Sequence, residues 1–237
     1  MQNEKNLGFR ISKSEYIDVN AIYELHHGNL GDHWTSYSLM ALLGLRFDLP
    51  KGFTYKLGTL NGGMDYTGRL QEIDALFSEF EYRPQLVREQ GTVKVDPWLN
   101  WSTPPLMVDK RFRWSLQKCE PYFCYQFDGV SAAESKNPPP SLIYEIKQSL
   151  KSKGYRSCRL GAHVTLQESA ELLSRCSLFV GCDSGFSHIA HSVGCPVYMY
   201  EGSLPVYTAH RLKQNDIFKS LPEFEMKLQH WHSFLTI

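Results

Sequence analysis

The chain has 237 residues, 42% of them hydrophobic and 13% aromatic, which is enough to bury a core in one domain or two small ones and excludes a disordered polymer. Its 25 Lys and Arg balance its 25 Asp and Glu. A chain without net charge has no global field to hold a polyanion, so a general nucleic-acid coat protein is excluded and any anionic partner must meet a local patch. No apolar run approaches the roughly 20 residues of a membrane helix, and MQNEKNLGFR lacks the apolar core of a signal peptide, so the expectation is a cytoplasmic protein. The six cysteines, at 119, 124, 158, 176, 182 and 195, form no CxxC pair and lie mostly in apolar segments, which predicts reduced, buried thiols and no structural metal.

In chain order, residues 21–27 (AIYELHH) alternate loosely and run into Gly28-Asn29-Leu30-Gly31-Asp32, after which Trp34, Tyr37, Met40 and Ala41 fall at helical spacing. This reads as strand, glycine turn, helix. Ile73, Leu76, Phe77 and Phe80 predict a second helix over residues 70–80, while residues 83–100 give a weak strand signal. Residues 102–116, with Pro104, Pro105 and the run Lys110-Arg111-Phe112-Arg113-Trp114, have no period and read as a linker or surface loop. We place a domain boundary near Glu120, giving a first domain with linker over 1–119 and a second domain over 120–237.

The second half has a sharper pattern. Residues 122–127 read as a strand, 128–139 as a loop, 141–153 as a helix closed by Gly154, and 155–160 as a strand. Thr165 and Glu168 form a capping box ahead of a helix to Arg175; residues 177–180 make a short apolar strand. A helix follows Gly181-Cys182-Asp183-Ser184-Gly185 and stops at Gly194 and Pro196, with another strand over 197–200. Strands alternating with helices through short loops imply parallel sheets covered on both faces, an α/β fold. The tail from Leu221 to Leu235 reads as a helix that crosses back onto the first domain.

In such sheets ligands sit beyond the carboxyl ends of the strands, where helix N-termini offer unpaired N–H groups to anions. Two segments have that form. In Gly28-Asn29-Leu30-Gly31-Asp32 the glycines let backbone approach a ligand, and Asp32 is either a helix cap or a working carboxylate. In Asp183-Ser184-Gly185-Phe186-Ser187-His188, Ser184 and Gly185 can donate to a phosphate, Asp183 can accept from sugar hydroxyls, and His188 lies one turn into the helix; the plainer alternative is a capping Asp with a core His. His26, His27 and His33 do not make a metal site, because adjacent strand residues point to opposite faces and no carboxylate-rich motif follows. The basic-aromatic run near Trp98 and Trp101 mixes cations and aromatics as nucleic-acid grooves or sugar platforms do, but the favoured reading is a solvated linker with packed aromatics.

The run from Leu166 to Ala190, continuing through Gly194-Cys195-Pro196-Val197, resembles the best-marked stretch of the family-nine glycosyltransferases, the ADP-heptose lipopolysaccharide heptosyltransferases and their relatives. Gly28-Asn29-Leu30-Gly31-Asp32 is similar to their Gly-x-x-Gly-Asp turn, and Lys136-Asn137-Pro138 to their Lys-x-x-Pro segment. The resemblance implies a GT-B fold of two Rossmann-like domains facing across a cleft, with Asp32 as catalytic base. It also implies Lys136, as an exposed loop lysine, with Asp183, Ser184, Gly185 and His188 on a nucleotide-sugar donor. The expected function is metal-independent, inverting transfer of a sugar from a nucleotide-diphosphate donor to a saccharide or glycoconjugate acceptor, with no cofactor. A non-catalytic nucleotide-sugar or saccharide-binding module, a sugar-nucleotide epimerase, and a transferase acting on a modified nucleic-acid base are the alternatives. The link from Gly154 to Leu166 is shorter than the family's strand, helix and strand at that point.

Overall fold

A computed structural model describes residues 22–25, 29–46, 56–59, 67–81, 83–87, 93–95, 106–129, 132–203 and 216–235. Two compact units divide the chain: residues up to Arg113 with Thr165–Glu168, and Trp114–Val164 with Ser169–Ile237.

The first unit holds a parallel sheet in the order β3-β2-β1-β4, formed by β1 (Ile22–Leu25), β2 (Lys56–Thr59), β3 (Gln85–Leu86) and β4 (Val93–Val95). Tyr23 pairs with Leu57 on one side and Val93 on the other, so β1 is internal. Helix α1 (Leu30–Arg46) follows β1 and α2 (Thr67–Leu76) follows β2. The apolar stripe of α1 is buried at Trp34, Tyr37 and Met40, and Phe77 packs 5.2 Å from the Trp34 ring and 5.0 Å from Tyr37. Burial of three aromatics of this size outweighs the weak local signals of the short strands.

In residues 106–113 Lys110, Arg111 and Arg113 are exposed and Phe112 is packed, in keeping with a solvated linker that carries packed aromatics, but further buried groups anchor the segment. Leu106, Val108 and Phe112 are buried, and the Asp109 carboxylate accepts hydrogen bonds from Ser78 Oγ and from the Glu79 N–H while the Asp109 N–H donates to the Leu76 carbonyl. The segment thus satisfies the orphan groups at the end of α2.

The second unit is a five-stranded parallel sheet in the order β6-β5-β7-β8-β9, with β5 (Glu120–Gln126), β6 (Arg156–Arg159), β7 (Cys176–Gly181), β8 (Val197–Tyr200) and β9 (Ile217–Phe218). All six residues of β7 are buried, as an apolar central strand requires. Phe123, Leu178, Val180 and Tyr198 share one core with Ile146 and Leu150 of α4 (Pro140–Ser152) and Phe224 and Leu228 of α7 (Leu221–Leu235). By the period of two, Cys124, Phe179 and Met199 turn to the opposite face, where α6 (Gly185–Val193) packs on β7 and β8. Helix α7 is therefore integral to this unit: Glu225 accepts from Ser149 Oγ at 2.8 Å, and the Tyr198 hydroxyl donates to the Lys227 carbonyl at 3.0 Å.

Local chemistry marks the ends of these helices. At α5 (Leu166–Arg175) the Glu168 carboxylate accepts from the Thr165 N–H at 2.7 Å and Thr165 Oγ1 accepts from the Glu168 N–H at 3.1 Å, the capping box that the sequence predicts. Gly194 closes α6 at φ 81°, a left-handed position that glycine takes without strain. One short helix, α3 (Ala133–Lys136), lies inside the predicted loop over 128–139, entered through Ala132 at φ 53°.

Candidate functional site

The strand order places β5 between β6 and β7, so the chain leaves β5 toward one edge and the rest of the sheet continues toward the other. The carboxyl ends of β5 and β7 consequently open a crevice, the usual ligand position in a doubly wound sheet. Phe127-Asp128-Gly129 leaves one strand and Cys182-Asp183-Ser184 leaves the other. The two loops meet closely: the Cys182 N–H donates to the Gln126 carbonyl at 3.1 Å, and a Cβ on Gly181 would stand 2.7 Å from that same oxygen.

Ser184 is the N-cap of α6, in extended conformation, and Gly185 is the first helical residue. Ser187 Oγ donates to the Ser184 carbonyl at 2.6 Å, while the buried Ser184 Oγ has no hydrogen-bond partner of regular geometry among the described residues. The hydroxyl and the first N–H groups of α6 make a donor-rich end with a partial positive charge. His188 stands one turn further on and is half-buried.

Lys136 reaches this end from α3. Its Nζ lies 3.7 Å from Asp183 Oδ2, with the lysine side chain 9% exposed and the aspartate 8%. The sequence reading of Lys136 as an exposed loop lysine is corrected here: α3 carries it inward, and a buried ammonium requires the opposite charge that Asp183 supplies. Gly202, after β8, completes the support; a Cβ there would stand 2.1 Å from the Ser135 carbonyl oxygen and 3.5 Å from Lys136 Cα. Nothing local to Gly202 signals this requirement, since the obstructing atom belongs to α3. The arrangement can bind an oxyanion between Lys136 and the start of α6, with Asp183 beside it to accept hydroxyl groups.

In the first unit, Asp32 is 9% exposed and occupies the first turn of α1. Its Oδ2 accepts the Asn29 N–H at 3.1 Å, so Asn29 starts the helix and Asp32 reaches back to it from the third helical position. Asp32 is thus not itself the N-cap. Gly31 is the second residue of α1, and Gly28 lies outside the described residues, as do His26 and His27. His33 is buried, and burial holds its imidazole down to about 4, which leaves it neutral.

Fold and crevice together define a parallel α/β unit with a strand-turn-helix junction at the carboxyl end of its sheet. Residues 135–232 match the model of glycosyltransferase family 9 (heptosyltransferase), so the resemblance read from the sequence is shown over the C-terminal unit. Among solved structures, the chain is similar to the E. coli TibC protein, described as an iron-containing dodecameric glycosyltransferase, with a TM-score of 0.57 and 18% identity over 83% of this chain and 61% of TibC. E. coli heptosyltransferase WaaC, solved with ADP, aligns with a TM-score of 0.52 at 12% identity over 89% of this chain and 98% of that one. E. coli ADP-heptose lps heptosyltransferase II aligns over the same shares with a TM-score of 0.51 at 12% identity. At these identities the likeness is one of fold, and the chain spans less than two thirds of the length of TibC. No curated protein matches the chain by sequence.

Among the described residues no group of three or more His, Cys, Asp or Glu side chains is placed to hold a metal ion. Cys124, Cys176, Cys182 and Cys195 are buried free thiols. Also among the described residues, no helix is long and apolar enough to cross a membrane.

Proposed function

We propose that this chain is a glycosyltransferase that moves a sugar from a nucleoside-diphosphate donor to a hydroxyl of a saccharide or glycoconjugate, with inversion at the anomeric carbon. The observation that carries this reading is the buried Lys136–Asp183 pair at 3.7 Å beside the start of α6. A lysine held in a low-dielectric crevice, next to helix N–H groups, matches the charge that grows on a departing diphosphate. Asp183 is suited to the hydroxyls of the sugar, and Ser184, Gly185 and His188 to the rest of the donor.

Asp32 is the base in this reading, taking the proton of the acceptor hydroxyl as that oxygen bonds to the anomeric carbon and the diphosphate leaves. Direct displacement gives inversion. Lys136 and the α6 N–H groups supply the positive charge, so we propose transfer without a metal ion, tested by retained activity after chelation. The neutral net charge favours a saccharide acceptor over a nucleic acid. Six free thiols fit a reducing compartment, and we place the reaction in the cytoplasm.

The test is nucleotide binding by calorimetry with ADP, GDP and UDP, followed by donor turnover with and without acceptor saccharides. Lys136→Gln removes the charge and leaves a polar side chain one atom shorter. It should weaken the tightest of the three nucleotides by about tenfold or more, as loss of a charge-assisted contact of about 1.5–3 kcal/mol requires. Unchanged affinity sinks the site. Nucleotide binding without any turnover of a sugar donor would instead favour a binding module, and interconversion of free sugar nucleotides an epimerase.

A further inference from the structure

We propose that Asn137 is a positioning residue for nucleotide binding: its side-chain amide clamps the loop after β5 onto the end of α3 and so fixes Lys136 in the crevice. The inference rests on the reading of that crevice as the donor site. Asn137 Oδ1 accepts the Gly129 N–H at 2.8 Å, and Asn137 Nδ2 donates to the Gly129 carbonyl at 3.1 Å. One amide thus satisfies both polar groups of a buried backbone residue, a match that a carboxylate cannot make, because its second oxygen would face the carbonyl.

A third contact comes from the opposite loop. Cys182 Sγ lies 3.2 Å from Asn137 Oδ1 and donates to it; burial pushes this thiol up to about 11, so the proton stays in place. The backbone N–H of Asn137 donates to the Ala133 carbonyl at 2.9 Å, closing α3 directly after Lys136. Asn137 therefore ties together the end of β5, the end of β7 and the short helix that carries the lysine. There is no room for another arrangement at Gly129, where a Cβ would stand 2.9 Å from Asn137 Oδ1 and 3.3 Å from Cys182 Sγ. A free lysine stem samples many rotamers, and fixing the backbone beneath it removes part of that cost before ligand arrives.

The clamp predicts that Asn137 acts through Lys136, which a double-mutant cycle reads directly. The probe is whichever of ADP, GDP or UDP binds the wild type tightest, titrated at several salt concentrations. Asn137→Ala should weaken that nucleotide by about tenfold and flatten the salt dependence of its affinity, as Lys136→Gln does. Added to Lys136→Gln, it should weaken binding no further. Gly129→Ala attacks the same clamp from the other side and should give the same pattern, and it carries the test alone if Asn137→Ala fails to melt cooperatively. Wild-type affinity in Asn137→Ala and Gly129→Ala beside a weak Lys136→Gln overturns the clamp and leaves the site standing. So does an additive loss in the double variant. Wild-type affinity in Lys136→Gln overturns the donor-site reading and the clamp with it.

Discussion

Asp32 and Asp183 each stand where a parallel strand hands over to a helix, and their burial is nearly equal at 9% and 8% exposure. Their surroundings differ in kind. Asp32 is held by a backbone N–H three residues away, a contact that exists as soon as the first turn of α1 forms. Asp183 faces a lysine carried in by α3 from another loop, and that contact exists only when the sheet, α3 and the Gly202 turn are assembled. A contact to a backbone N–H three residues away needs only one turn of helix, whereas a carboxylate paired to a buried cation depends on the assembled tertiary structure. The same sequence signature, an acidic residue at a glycine turn, thus stands in two different settings according to what the tertiary structure brings beside it.

Replacing Asp32 by Asn gives the largest expected separation between the two. The amide oxygen still accepts the Asn29 N–H, so stability should stay within about 1 kcal/mol of wild type. The amide takes no proton, so single-turnover transfer should slow by roughly 10²- to 10⁴-fold with donor affinity nearly intact. Transfer at the wild-type rate would make Asp32 structural only.

Acid should strain the first turn of α1 through the neighbour of Asp32. The folded His33 imidazole, held down to about 4, stays neutral where the unfolded one, at its ordinary 6.5, takes a proton. The unfolded state binds more protons between those values, so stability should fall as pH drops from about 6.5 to about 4, by up to about 3 kcal/mol. Melting temperatures of wild type and His33→Gln across that range measure it; parallel curves would show that His33 does not carry the effect.

Gly202→Ala should give the smallest change and act on the other side of the comparison. With the new methyl 2.1 Å from the Ser135 carbonyl oxygen, either α3 or the β8 turn must shift, at about 1–3 kcal/mol. Nucleotide affinity should fall severalfold as Lys136 moves with α3. A variant that loses stability but keeps full affinity would show that Lys136 tolerates displacement.

Most elements of the C-terminal unit were legible because they carry their own punctuation: Gly154 and Gly194 at helix ends, the Thr165–Glu168 box, and the apolar run Leu178-Phe179-Val180 in β7; the two residues of β9 were too few to read. The turn Asp183-Ser184-Gly185 was legible for the same reason. Helix α3 was not, since four residues entered through a left-handed Ala132 have no period to read. The burial of Lys136 and the role of Asn137 were hidden too, because both depend on atoms of distant loops. Leu106, Val108 and Phe112 follow neither a helical nor a strand spacing, so their part in the first core needed the partners Ser78 and Glu79 to be seen.

The placement of β9 and α7 has a consequence for the birth of the protein. Phe218, Phe224 and Leu228 are fully buried members of the central core, and β8 has β9 as its outer neighbour. While the chain is being synthesised, every other strand of that sheet is complete before these residues exist. The nascent unit therefore waits with an unpaired edge at β8 and an uncovered patch over Tyr198 and Leu178, the condition in which partly made domains associate wrongly or recruit chaperones. The β9–α7 segment is what ends that exposure, so ribosome pausing just before it should cost yield far more than pausing earlier in this unit.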